Sequence, residues 1–89
     1  MAADYESFCE ILKALAHPAR LRIVSGLVED ECNVGQIQKR LGLPQSTISQ
    51  HLRILKSAGI IKGRRELTRT CYQVIDARAR AIIELLEGR

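Results

Sequence analysis

Apolar residues in the first third of the chain recur at helical spacing. Tyr5, Phe8, Cys9, Leu12, Leu15 and Ala16 stand at i, i+3, i+4, i+7, i+10 and i+11, one face of a helix that Asp4 is placed to cap. Pro18 suits the first turn of a second helix with the stripe Leu21, Val24, Leu27 and Val28, and the acidic run Glu29, Asp30, Glu31 ends it. Asn33 with Gln36 three residues on predicts an N-cap with a reciprocal partner. It opens a short helix that buries Val34, Ile37 and Leu41 and closes at Gly42. Pro44 starts a fourth helix with Ile48, Leu52 and Leu55 turned inward, and Gly59 supplies its stop.

After Gly59 the period shortens to two. Ile60 and Ile61 begin an extended run to Arg65, and Thr70, Tyr72 and Val74 alternate with Arg69, Cys71 and Gln73, so two strands flank a turn near Glu66 to Thr68. The turn lacks the Asn-Gly or Asp-Gly pair of the tightest hairpins. Asp76 then caps a last helix striped by Ala79, Ile82, Ile83 and Leu86. The expected fold class is mostly α with a small β-hairpin, in the order four helices, two strands, one helix. Two helices joined by a short Gly-containing turn make a helix-turn-helix, and the basic hairpin behind it makes the winged form. The single domain divides into residues 4–32 (first two helices), 33–59 (helix-turn-helix), 60–75 (wing) and 76–89 (last helix).

Composition narrows the function. A chain of 89 residues is one domain, and 26 of the 89 are Leu, Ile, Val or Phe, above the roughly 20% floor for a foldable core. A domain of this size hides only ~60–65% of its unfolded surface, so a second copy would help it. No apolar run approaches the ~18 residues of a membrane span. The first ten residues carry Asp4, Glu6 and Glu10 where a secretory signal needs cations and then apolar residues. A soluble cytoplasmic protein is expected. Cys9, Cys32 and Cys71 are odd in number and widely spaced, which predicts thiols and not a disulfide scaffold. No Gly-x-Gly-x-x-Gly, phosphate-cradling loop or Cys-His pair at informative spacing is present, so neither an enzyme nor a cofactor is expected.

Charge is divided along the chain. Residues 1–32 hold three cations and six carboxylates, residues 33–75 hold eight cations against Glu66 alone, and residues 76–89 balance. A concentrated basic segment is the footprint of a polyphosphate-binding face, although an unevenly charged solvated surface gives the same tally. The outward face of the fourth helix is sharper. Gln45, Ser46, Thr47, Ser49, Gln50, Arg53 and Lys56 offer hydrogen bonds and positive charge with no carboxylate, whereas an ordinary solvated helix mixes signs. Arg64, Arg65 and Arg69 flank the hairpin turn.

The segment LKALAHPARLRIV, the phrase LGLPQSTISQHLRILKSAGII and the hairpin KGRRELTRTCYQV closely resemble the ArsR/SmtB family of small bacterial dimeric repressors, roughly from Phe8 to Leu86. The resemblance implies a homodimer joined through the first and last helices, here Phe8, Leu12, Ile82, Ile83 and Leu86. It also implies double-stranded DNA as partner, with two recognition helices reaching successive major grooves of an imperfect palindrome. Gln45, Ser46, Thr47, Ser49 and Gln50 would meet base edges and nearby phosphates, with Arg53 and Lys56 beside them. Arg64, Arg65 and Arg69 would touch the backbone or minor groove. Pro44 stands where many members have a capping Ser, and Leu67 where Gly is frequent. An interaction module that reuses the winged helix without binding DNA is the rival reading.

The family's inducer sites are poorly matched. The Cys-x-Cys positions of metalloid sensors are Asn33 and Gly35. The last-helix metal site retains Asp76 but has Arg78 in the His place and no later His. The dithiol site would need cysteines at Ser25 and in the last helix. No metal is expected at these places, and the inducer is left unassigned. Cys9, Cys32 and Cys71 remain as core residues or as a redox or soft-metal sensor, Cys71 being expected partly exposed with Arg69 near enough to favour thiolate. His17 is expected to support a helix start, and His51 to hydrogen-bond locally or near phosphate.

Overall fold

The computed structural model describes residues 3–88. In chain order the elements are α1 (Tyr5–Leu15), α2 (Pro18–Glu29), α3 (Val34–Leu41), α4 (Gln45–Ser57), β1 (Ile61–Glu66), β2 (Arg69–Val74) and α5 (Ala77–Glu87). This is the expected order.

Local chemistry sets most of the boundaries. The Asp4 carboxylate accepts from Ser7 N at 3.0 Å, and Asp76 Oδ1 accepts from Arg78 N at 2.8 Å and Ala79 N at 3.0 Å. α2 is capped by His17, whose Nδ1 accepts from Ala19 N at 3.0 Å, with Pro18 just behind it. α3 ends at Gly42, whose φ of +64° is the left-handed conformation such a stop requires. Two starts differ from expectation. Asn33 (φ −101°, ψ 13°) is not extended and makes no side-chain cap, so its partnership with Gln36 does not form. Pro44 is the N-cap residue of α4 and not its first helical residue, and it brings no side-chain acceptor.

One core joins all the elements. Ile11 and Leu15 of α1, Ile23, Val24 and Leu27 of α2, Ile37 of α3 and Ile48, Leu52 and Leu55 of α4 meet Ile60, Ile61, Val74, Ala79 and Ile83. The inward face of α1 is thus Ile11, Ala14 and Leu15, while Tyr5, Phe8, Cys9 and Leu12 are exposed. Leu15 belongs to the core, whereas the Tyr5, Phe8, Cys9 and Leu12 part of the stripe read from the sequence forms a second apolar face turned away from it. Cys9 is correspondingly not a packed residue. Ile83, by contrast, is fully buried inside the protomer, with Ile82 packed partly against the same core.

The wing is an antiparallel pair with register running from Ile61↔Val74 to Glu66↔Arg69. Its two-residue turn places Leu67 at φ +55°, 96% exposed. Left-handed backbone costs a branched L-residue roughly 1–2 kcal/mol, which is why Gly suits such a tip.

The expectation of three thiols is overturned. Cys32 and Cys71 form a disulfide across 39 residues, with Cα atoms 4.3 Å apart. Residues 31 and 32 run beside β2, where Tyr72 N donates to Glu31 O at 2.7 Å, and this sets the two cysteines side by side. Cys71 is fully buried and not partly exposed. Pairing between distant segments leaves no local spacing signal, and the odd count is explained by exposed Cys9.

At the start of α5, the Arg78 guanidinium hydrogen-bonds Asp76 Oδ2 at 2.9 Å, reaches Ser7 Oγ at 3.1 Å and lies 5.6 Å over the Phe8 ring. The hydrogen bond from Arg78 holds the Asp76 carboxyl below the usual carboxylate range, with the Ala79 and Arg78 amides assisting and burial opposing. Because the folded value is the lower one, this stabilisation is complete above the unfolded pKa, near ~3.9, and is lost as pH falls through the folded value. Asp76→Asn keeps a capping oxygen and removes the charge. It should cost about 1 kcal/mol at pH 7 and flatten the acid limb of stability below pH ~4. Urea unfolding across pH checks this, and parallel profiles for both proteins would refute it.

Candidate nucleic-acid interface

α4 presents two chemically distinct sides. Ile48, His51, Leu52 and Leu55 are buried, and Gln45, Ser46, Ser49, Gln50, Arg53 and Lys56 are exposed, with Thr47 half-buried between them. The helix is therefore held by its apolar side at a fixed rotation, and rotation decides which amides and hydroxyls face outward. The first turn receives backbone bonds from Thr47 N and Ile48 N to Pro44 O, both 3.1 Å. No side chain caps that end by a hydrogen bond, which leaves the positive end of its dipole for an anion.

Arg64, Arg65 and Arg69 are all exposed on the wing, but they are not equivalent. The Arg64 guanidinium is engaged by both Glu31 and Glu66, so its charge is matched within the protomer and it links the wing to the turn that follows α2. Arg65 and Arg69 enter none of the ion pairs found among the described residues. Sequence reasoning missed Glu31 as a partner, since it lies 33 residues from Arg64. A cleft of about 480 Å³ separates wing from helix-turn-helix, lined in part by Cys32, Gln38, Gln45, Ser49, Arg69 and Tyr72.

Beneath the interface, His17 and His51 stand with ring centroids 4.7 Å apart. His51 is buried, and its Nδ1 has no hydrogen-bond partner. Burial lowers its pKa from the usual 6.5, and His17 and Arg20 lower it further by repulsion. His17 supports the start of α2 as expected.

The sites where the family resemblance would place metal carry other chemistry. Asp76 is taken up by Arg78, and Asn33 and Gly35 supply no thiol. Among the described residues, Cys32, Glu66 and Cys71 bring ligand atoms within 4.8 Å of one another, with both sulfurs held in the disulfide.

Four helices, a two-stranded wing, a closing helix and a carboxylate-free outer face on α4 define the winged helix-turn-helix class. Residues 17–62 match the family model for bacterial regulatory proteins of the arsR family. The chain is 45% identical over 84 residues to an HTH-type transcriptional regulator of Methanocaldococcus jannaschii, covering 93% of this chain and 94% of that one. It is 38% identical over 76 residues to the biofilm growth-associated repressor of Xylella fastidiosa, covering 85% and 67%. Among solved structures, HlyU from Vibrio cholerae superposes with a TM-score of 0.88 at 35% identity, covering 99% of this chain and 96% of that one. A homodimeric winged helix-turn-helix DNA-binding domain from Mycobacterium bovis gives 0.80 at 29%, covering 99% and 88%. The chain belongs to the arsR family and is a DNA-binding transcriptional regulator, not an enzyme.

The buried histidine makes a pH prediction. Folded His51 resists protonation, while in the unfolded chain it takes a proton near pH 6.5. Its contribution is therefore neutral above about pH 7 and progressively destabilising as pH falls from ~6.5 toward the lower folded pKa. His51→Gln, which cannot titrate, should flatten stability against pH between about 7 and 5. Chemical denaturation at each pH tests it, and an unchanged slope would refute it.

Proposed function

We propose that this regulator is a homodimer that represses transcription by holding an imperfect palindrome, with one α4 helix in each of two successive major grooves. The observation that carries the reading is the outer face of α4, where hydrogen-bonding groups and cations stand without a carboxylate beside Arg65 and Arg69. Gln45, Ser46, Thr47, Ser49 and Gln50 read base edges and adjacent phosphates. Arg53, Lys56, Arg65 and Arg69 contact backbone phosphate, with Arg64 contributing through the position it gives the wing. The work is done in the cytoplasm, where the DNA is.

The dimer reading rests on exposed apolar side chains at neighbouring ends of the fold. Tyr5 is 79% exposed, Phe8 39% and Leu12 45% on α1, and Leu85 is 83% and Leu86 60% on α5. α1 packs on α5, and these exposed apolar side chains are what a symmetry mate would cover. Residues 76–89 then act as the dimerisation segment. The contact is made by Phe8, Leu12 and Leu86 with the partly buried Ile82, while Ile83 supports them from the protomer's core.

Two experiments test the proposal. Gln50→Ala or Ser46→Ala should cost ~1–3 kcal/mol on the cognate duplex and much less on a scrambled one. Arg65→Ala or Arg69→Ala should weaken both duplexes about equally and reduce the slope of log K against log salt by about one for each phosphate no longer neutralised. Titrations at several salt concentrations read both, and the assignment fails if helix amides and wing arginines behave alike. Separately, Leu12→Asp should dissociate the dimer and weaken DNA binding together, because it would bury an unpaired charge at the joint. Sedimentation showing the unmodified protein as only ~10 kDa species at micromolar concentration would sink the dimer.

A further inference from the structure

The regulator has a bridge at a place that its DNA-reading role does not require. Every residue assigned to DNA, from Gln45 to Arg69, lies inside the segment closed by Cys32 and Cys71. One sulfur sits just before α3, at the edge of the cleft, and the other in the middle of β2, so the bond ties the segment that leads into the helix-turn-helix to the wing. Beside it, the other ties between residues 31–32 and the hairpin are the Tyr72 N to Glu31 O hydrogen bond and the ion pair of Arg64 with Glu31, whose side chains are 41% and 36% exposed. Such an exposed pair holds weakly. Disulfides are rare in the reducing compartments where transcription is regulated, and in mesophiles those that occur there are mostly catalytic or redox-sensing.

We propose that Cys32 and Cys71 are a redox-active pair: the disulfide form locks the wing in its DNA-binding position, and reduction by a dithiol, protein or small molecule, frees the wing and lowers DNA affinity. This rests on the DNA-binding role assigned to α4 and the wing. It uses a pair in different elements from the second-helix and last-helix cysteines of the family's dithiol site, which here are Ser25 and no cysteine at all. Cys32 is partly exposed and Cys71 fully buried, so the incoming thiolate attacks Cys32 Sγ. The Cys32–Cys71 bond breaks and Cys71 leaves as a thiolate, which takes up a proton. The Glu66 carboxylate lies within 4.8 Å of both sulfurs, with its charge offset by its pair with Arg64, which stands across the ladder from Cys71, so the leaving thiolate is drawn to take up that proton. The second thiol of the reductant then attacks its own sulfur in the mixed disulfide, releasing Cys32 as a thiol and the reductant as a disulfide. Two electrons pass to the protein, and a peroxide or a disulfide oxidant reverses the step.

The test compares the intact protein oxidised and reduced by dithiothreitol, with the thiol count of each confirmed by alkylation and mass. Amide exchange at Tyr72 and along residues 66–70 should accelerate on reduction, and affinity for the cognate duplex should fall at least about fivefold, the lower end of ordinary allosteric coupling. Cys32→Ser with Cys71→Ser should behave as the reduced protein under both conditions, while Cys9→Ser should keep the full response. Equal exchange and equal affinity in the two redox states would overturn the proposal, as would a response that survives the double substitution or disappears with Cys9→Ser. If neither form binds DNA while wing exchange still follows the redox state, the DNA assignment fails and the latch stands. Unchanged exchange alongside tight DNA binding has the opposite meaning.

Discussion

Ile23, Val24 and Leu27, each no more than 1% exposed, present one helix to α1, α3, α4, α5 and β2 at once. A protein of this size cannot build separate cores for its helices and its wing, so the stripe of α2 serves them all. Full burial of each such side chain is worth about 1.5–3 kcal/mol, and the three together are comparable to the net stability of a small domain. Close approach is as necessary as apolarity. A Cβ on Gly26 would lie 2.6 Å from Ile37 Cδ1, so glycine in mid-helix, despite its cost of about 0.5–1 kcal/mol relative to Ala, lets α3 lie down on α2. With α3 seated there, the turn at Gly42 and Pro44 sets the direction of α4.

Elements whose signals are local were legible in the chain. The Asp4 and Asp76 caps and the Gly42 stop each arise within a few residues, and each has its counterpart in the structure; β2 is also present, but its alternation is broken by Cys71, buried on the face opposite Tyr72. What escaped depends on distance along the chain or on a choice between two faces. α1 has apolar residues on more than one side, and its period could not say that Ile11, Ala14 and Leu15 face the core while Phe8 and Leu12 face outward. The Cys32–Cys71 bond and the Arg64–Glu31 pair link segments more than 30 residues apart, and only the tertiary fold brings them together.

The charge tally was likewise a correct sum over unequal members. Arg64 is committed to two carboxylates and Arg78 to Asp76, where it ties α5 to α1 through Ser7 and Phe8. Those guanidiniums hold the frame. The cations left facing solvent are fewer than the count suggests, but they include Arg53 and Lys56 on the outer side of α4 and Arg65 and Arg69 near the tip of the wing, whose fields add. The absence of any carboxylate on α4 is the more discriminating feature, because it needs no tally and no long-range pairing to be seen.

The two parts of the interface are held with different firmness, and the difference matches what each must do. α4 is pinned along its length by Ile48, His51, Leu52 and Leu55 and has little freedom to rotate. The wing is anchored only at its base and middle, by Ile61, Val74 and Cys71, by the Ile75 N to Ile60 O bond at 2.8 Å and by the contact with Glu31. Beyond those anchors the hairpin stands in solvent, ending at a leucine in left-handed backbone. Bidentate hydrogen bonds to base edges tolerate little angular error and need a fixed helix. Attraction between a guanidinium and phosphate falls off gradually with distance and tolerates a tip that moves, provided its root is held. The root, and not the tip, is therefore where a change in the fold would be felt by DNA.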